Sequence, residues 1–191
     1  MPGLRISFHW KLRILATNPL CSGDVGGPKI DGRRDDYIVT LLFAFLIGLF
    51  AGLRSLTAPA ATAWAVHLGW LRLERPLSLI GSVPSVAIFT VLAVVELVAD
   101  KLPKTPSRTS PPGLIARILM GGLTGACVAV AAAQGVFLGA VLGAVGGVMG
   151  CFLGYRVRAE LVKALGTRDF YVALLEDLVA VAGCLWVVSR F

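Results

Sequence analysis

The stretch YIVTLLFAFLIGLFAGL, from Tyr37 to Leu53, decides the class of this protein. It carries no charge and approaches the roughly 20 apolar residues that a helix needs to cross a bilayer. Arg54 follows directly, and the apolar sequence then resumes as far as Leu71, with Pro59 inside it. Because the Arg and the Pro interrupt this run, we predict a membrane span, a break, and a short helix near the membrane interface.

Composition supports a membrane protein. Hydrophobic residues make up 57% of the 191 residues, charged residues only 15%, and the mean hydropathy is +0.81, whereas a soluble domain carries roughly 25% charged residues. Further apolar runs predict spans at residues 77–99, 114–133, 136–155 and 171–188. We therefore predict an all-α integral membrane protein with about five transmembrane helices in one domain, residues 37–191. A polar, disordered cytoplasmic tail, residues 1–36, precedes it, and no nucleic-acid partner is predicted.

The placement of Lys and Arg predicts the orientation, because loops rich in these residues stay on the cytoplasmic side. If the five spans alternate in direction, most of the 18 basic residues lie on the side of the N-terminus. This predicts a cytoplasmic N-terminus and an external C-terminus. Only Gln134 and Gly135 separate the third and fourth spans, which predicts a tight hairpin between them.

Two similar motifs suggest an internal repeat. The sequence GLFAGLR, residues 48–54, recurs as GCFLGYR, residues 150–156, and each copy ends a span at its Arg. An acid follows in the next span of each half, Glu96 in the first and Asp177 in the second. With one extra span between the copies, alternation predicts an inverted repeat of helices 1–2 and 4–5, an architecture that recurs in secondary transporters.

Glycines recur at every fourth position through the fourth span. Small residues at this spacing let helix backbones approach closely, so we predict helix packing, within the fold or between the subunits of a homo-oligomer. The alternative is a smooth channel wall. The residues predicted to pack are Gly139, Gly143, Gly147, Gly150 and Gly154.

Charged residues within or beside the spans are the candidate site, because an unpaired charge at the bilayer centre costs roughly 2.5–3.5 kcal/mol on insertion scales. The alternative for those near span ends is that they extend to the interface. The candidates for binding a substrate or ion are Arg54, Glu96, Asp100, Lys101, Arg108, Arg156, Glu176 and Asp177. The two histidines match no metal-ligand spacing, so neither a metal nor a cofactor is predicted.

The segments GLRSLTAPA, residues 52–60, and ELVADKLPKTPSRTSPPGLIAR, residues 96–117, carry a resemblance to a known family. Together with the Gly-rich hairpin, they resemble a family of small bacterial multi-pass membrane proteins described as a domain of unknown function. The resemblance covers residues 37–188. It implies a bacterial inner-membrane location and supplies no catalytic residue. Membrane lipids are the partners that we predict.

Three functions fit these observations, and the first is favoured. In a small transporter for an anionic solute or lipid headgroup, Arg54 and Arg156 would attract the anion and Glu96 would carry a coupling proton. In a membrane enzyme acting on a phosphorylated lipid, Glu96 and Asp100 would hold a divalent ion, and Lys101, Lys104 or Arg108 would bind phosphate. In a non-catalytic scaffold, the Gly-rich hairpin would mediate assembly.

Overall fold

The computed structural model describes residues 30–100, 110–165 and 169–191. The described residues form α-helices and one 3₁₀ helix, Leu77–Gly81, with no β-strand. The α-helices are α1 (Ile30–Leu53), α2 (Thr57–His67), α3 (Val83–Ala99), α4 (Pro111–Ala131), α5 (Val136–Leu165) and α6 (Asp169–Val188).

Four of these helices contain segments long and apolar enough to cross a membrane: Asp35–Leu53, Pro111–Ala131, Val136–Ala164 and Tyr171–Val188. The apolar helix α3 is shorter, since the predicted span 77–99 divides at Ser82, whose ψ of 149° is extended. Its side chain caps α3 by accepting a hydrogen bond from Ser85 N. The all-helical multi-pass membrane architecture is thus confirmed.

The short helix α2 lies inside the bundle. Eight of its 11 residues are buried, most of them Ala or Thr, whose small side chains let other helices approach. It runs antiparallel to α3, because Trp64 Nε1 donates to Thr90 Oγ1 (3.0 Å) and His67 Nδ1 donates to Gly81 O (3.0 Å). The predicted short helix after the break is therefore present and packed inside the bundle, and its position relative to the membrane interface stays a prediction.

Glycine contacts hold α5 between α4 and α1. On one side, a Cβ at Gly147 would lie 2.6 Å from Arg117 O, and Gly139 and Gly143 pack against glycines of α4. On the other side, Gly150 packs on the backbone of α1 at Leu49, while Gly154 faces the Leu53 side chain. All five glycines predicted to pack therefore lie against other helices of the same chain, where larger side chains would collide with them.

The two similar motifs lie on parallel helices. Gly48 packs against Gly143, and Gly52 packs against Gly147 and Cys151, so residue numbers rise together along α1 and α5. An inverted repeat of these copies would require opposite directions, and that prediction is wrong. The reason is that α2 and α3 run in opposite directions, so α3 ends beside Arg54, where α1 ended. Five alternating spans would have placed these two ends on opposite sides.

The ends of the bundle are fixed by contacts between α1 and α6. Arg54 contacts Asp177, while Phe43 stacks edge-on against Trp186 with ring centroids 5.7 Å apart, so the two helices are antiparallel. The beginning of the apolar segment of α1 and the end of α6 therefore lie at the same end of the bundle. The alternation used to predict orientation placed Arg54 and Asp100 on opposite sides, whereas they form an ion pair. Which end faces the cytoplasm stays a prediction.

The glycine contacts predict a position-specific effect of adding one methyl group. Gly147→Ala should lower the free energy of unfolding by about 1–3 kcal/mol, because its Cβ would collide with backbone of α4. Thermal unfolding is measured with a thiol-reactive dye that reports the exposure of buried Cys127, Cys151 and Cys184. Gly135→Ala is the control, since its Cβ would meet nothing within 4 Å. Equal losses in the two variants would contradict the packing described.

Candidate functional site

The helix break after Leu53 leaves the last carbonyl groups of α1 without partners in the helix, and Arg117 of α4 binds one of them. Helix ends leave backbone groups without partners inside the helix. Arg117 Nε donates to Gly52 O at 2.9 Å, and its Nη1 donates to Gly113 O at 2.9 Å. The Arg117 side chain is buried. Because it binds Gly52 O, its positive charge lies at the negative end of the α1 dipole.

Glu96 of α3 caps the opposite side of the break, where α2 begins. Its Oε1 accepts hydrogen bonds from Ser55 N (2.9 Å) and Ser55 Oγ (2.6 Å), and its Oε2 accepts from Leu56 N (2.8 Å). A carboxylate near a helix N-terminus is stabilised by the helix dipole. Glu96 therefore holds the start of α2 in place.

Between these caps lies a network of charges that we call the polar centre: Arg54, Asp100, Arg158, Glu176 and Asp177. Arg54 Nη2 contacts Asp100 Oδ2 at 3.0 Å and also contacts Asp177 Oδ1. Arg158 Nη1 lies 3.2 Å from Asp100 Oδ2 and 3.7 Å from Glu176 Oε2. Four helix segments thus contribute to one ionic network, which compensates for the cost of removing these charges from water.

Access to solvent changes across the polar centre. The Arg54 side chain is 1% exposed, while those of Asp100 and Arg158 are 14% and 18% exposed. Asp177 lies six residues after Tyr171, the start of the apolar span of α6, which corresponds to a depth of about 9 Å. The polar centre therefore lies near one end of the bundle, with its innermost charge on Arg54.

The structure brings together four of the eight predicted site residues, Arg54, Asp100, Glu176 and Asp177. Glu96 is adjacent to them but binds the backbone of the helix break. Arg156 is exposed on the bundle surface. Lys101 and Arg108 lie outside the described residues.

Sequence reasoning missed Arg117 and Arg158. Arg117 stands in PPGLIARILMGGL, where it is the one charge in an apolar run, and this signal alone marks it as a residue that needs a partner. Arg158 is two residues from Arg156 and therefore points to a different side of α5. Without the packing of α5, the sequence does not show which of these two arginines faces inward.

The break contains buried polar atoms without a hydrogen-bond partner among the described residues. Arg54 Nε and Thr57 Oγ1 are buried and have no hydrogen-bond partner among the residues that the structure describes. Buried polar atoms in native proteins usually have a partner. Both lie on residues that flank the Ser55–Leu56 segment, so a small polar solute reaching this segment would find donors there.

Comparison with known proteins gives one match. The model of a family described as a domain of unknown function (DUF4126) matches residues 41–189. This range includes both segments on which the resemblance was recognised, so the predicted resemblance is confirmed. No curated protein and no solved structure matches the chain.

The contacts of Glu96 predict how its variants behave. Glu96→Ala should destabilise the protein by about 1.5–3 kcal/mol, because hydrogen bonds to a charged group are lost and backbone donors are left without a partner. Glu96→Gln should lose less, since its amide oxygen replaces one acceptor. Thermal unfolding in detergent measures both variants. A Glu96→Ala protein as stable as the parent would contradict the capping role.

The Arg54–Asp177 pair predicts non-additive substitutions. Arg54→Gln alone should cost about 3–5 kcal/mol, because it leaves the buried Asp177 without this partner. The double variant Arg54→Gln/Asp177→Asn should be more stable than Arg54→Gln, since it removes both charges. Denaturant unfolding of the two single variants and the double variant completes the cycle. Additive losses would show that the two side chains are not coupled.

Proposed function

The chain belongs to the DUF4126 family, a domain of unknown function, and from its own geometry we propose that it is a small multi-pass membrane transporter that couples an anionic solute to a proton. The observation that carries this proposal is the position of Arg54. This buried cation stands in a break between two helices, with carboxylates from α3 and α6 against it.

The interrupted helix supports a binding site. Secondary transporters typically bind substrates where membrane helices are discontinuous, because the helix ends offer backbone groups and dipoles to a ligand. In this protein Arg117 and Glu96 satisfy the backbone on the two sides of the break. The break can then persist in an apolar bundle while the Arg54 side chain exchanges its partners.

The ion pairs of Arg54 offer a simple way to couple proton and anion. Protonation of Asp100 or Asp177 removes one negative charge beside Arg54. An anionic solute can then bind to the released guanidinium group of Arg54, whose planar set of N–H donors suits carboxylate and phosphate. One proton enters for each negative charge of the solute, on Asp100 for the first and on Asp177 for a second, so the net charge of the polar centre stays the same when a singly or doubly charged anion binds.

This scheme moves the coupling proton away from Glu96. Both Glu96 oxygens already accept hydrogen bonds from residues 55 and 56. A proton on Glu96 would replace one of these acceptors and loosen the start of α2. Asp100 and Asp177 both contact the Arg54 guanidinium directly, so we assign the coupling proton to these two carboxylates.

Transport requires the helix break to be reachable from each side of the membrane in turn. We therefore expect a single cysteine placed there by Thr57→Cys, in a background without native cysteines, to react with an impermeant thiol reagent from either side. Thr57 is small, buried and uncharged, so the polar centre stays intact. Labelling is measured in intact cells and in inverted vesicles, and protection by phosphate, sulfate or succinate would indicate the class of anion.

Two controls define the range of the labelling experiment. Glu160→Cys, whose parent side chain is 77% exposed, should react from one side only. A protein that keeps native Cys184 alone, a buried residue, should not react. Reaction of Thr57→Cys from one side only would contradict transport and favour an interfacial enzyme. No reaction from either side would favour a structural role for the charges.

The structure gives less support to the two other functions. A lipid enzyme would need Glu96 and Asp100 to hold one divalent ion together. Instead, Glu96 binds the start of α2, and Asp100 binds Arg54 and Arg158. The glycines that would mediate assembly of a scaffold pack within the chain. Transport remains the function that these contacts favour.

A further inference from the structure

At the end of α2 opposite the polar centre, the chain forms a cavity of about 520 Å³ that is open to the surface. It is formed by the end of α2, the connection that follows, and the 3₁₀ helix before α3. Its polar lining comes from His67, Arg72, Arg75, Ser78 and Ser82, and no Asp or Glu of the described residues lines it. Since α2 rises about 16 Å over its 11 residues, this cavity is separate from the polar centre.

The two arginines of the cavity differ from the buried arginines elsewhere. Arg72 and Arg75 are exposed, and neither forms an ion pair with a carboxylate among the described residues. Arg54 and Arg158, in contrast, are both bound to acids. Two guanidinium groups lie beside the cavity, and the one neighbouring acid, Glu74, is exposed and is not part of its lining, so the net charge near the cavity is positive and favours an anion. Hydroxyl groups of two serines add hydrogen-bond donors.

The wall of the cavity is held by specific contacts. Leu71 is 1% exposed and anchors the connection in the core, and its N–H donates to Ala65 O at 3.1 Å. His67 Nδ1 donates to Gly81 O, which joins the end of α2 to the segment before α3. A Cβ at Gly81 would collide with the Val66 side chain, so this approach is close. The arginines are therefore presented by an ordered framework.

The surroundings of the cavity indicate where its ligand comes from. Leu68, Leu79 and Val83 are 54%, 57% and 68% exposed, so apolar surface borders the cationic lining. Trp64 and Trp70 are 44% and 46% exposed nearby in the chain, and Trp is enriched at the level of lipid headgroups. A ligand with a negative head and an apolar body matches this combination, whereas a free anion matches only the arginines.

We infer that this cavity binds the phosphate headgroup of an anionic phospholipid, with Arg72 and Arg75 on the phosphate and the acyl chains along Leu68, Leu79 and Val83. This site does not depend on the proposed transport. Its loss would leave the polar centre unchanged, because the residues that form the two sites do not overlap.

The test uses the full-length protein in detergent, titrated with dioleoylphosphatidylglycerol and followed by native mass spectrometry. Arg72→Gln/Arg75→Gln should weaken binding roughly 30-fold, since each basic residue near an anionic headgroup contributes about 1 kcal/mol. The control Arg156→Gln/Lys163→Gln removes the same charge from exposed positions on α5, and it should change binding less than threefold. Dioleoylphosphatidylcholine, which has no net charge, should bind weakly to the parent protein and to both double variants.

A second pair of variants keeps both arginines. Ser78→Asp places a negative charge in the lining and should also weaken lipid binding, whereas Ser78→Asn should leave it within threefold of the parent protein. Thermal unfolding confirms that each variant is folded. Equal weakening by the two charge-matched double variants would overturn the site, because binding would then follow net charge alone. Competition by glycerol phosphate or inorganic phosphate at the same concentrations as the lipid would overturn the lipid assignment and indicate a soluble anion.

Discussion

The burial of the Arg54 charge is the constraint on which the rest of the structure depends. A guanidinium group that is 1% exposed must be paired, and its partners are Asp100 at the end of α3 and Asp177 inside α6. The ends of three helix segments therefore have to meet at one point. This requirement explains why the chain turns back after α1: a simple crossing to the other side would have separated Arg54 from Asp100.

The glycine contacts make this arrangement precise. Because α5 packs backbone to backbone against α1 on one side and α4 on the other, the three helices form a close-packed wall. Arg54 directly follows α1, while Arg117 lies on α4 and Arg158 lies on α5. Two of these charges bind acids of other helices, and Arg117 binds the backbone of α1. Close packing and charge pairing thus support each other, since a shift of α5 would disturb both.

The two ends of α2 differ in how their charges are satisfied. Where α2 begins, arginines and acids of the same chain neutralise one another around the helix break. Where α2 ends, the arginines of the cavity have no acid in the lining. The first arrangement permits exchange of partners inside the protein, and the second presents positive charge outward. The proposed transport and the proposed lipid binding would therefore depend on different charges.

The sequence by itself determined the membrane class, the approximate spans and the hairpin between α4 and α5. It also showed that the charges of Arg54, Asp100, Glu176 and Asp177 need partners. These properties follow from hydropathy and from the cost of burying charge, which act on each segment separately. Only the tertiary structure decided that α2 is buried, that α1 and α5 are parallel, that Glu96 caps a helix, and that Arg158 faces inward instead of Arg156. These properties depend on which helices lie side by side, and the local sequence does not record contacts between residues that are 40 or more positions apart.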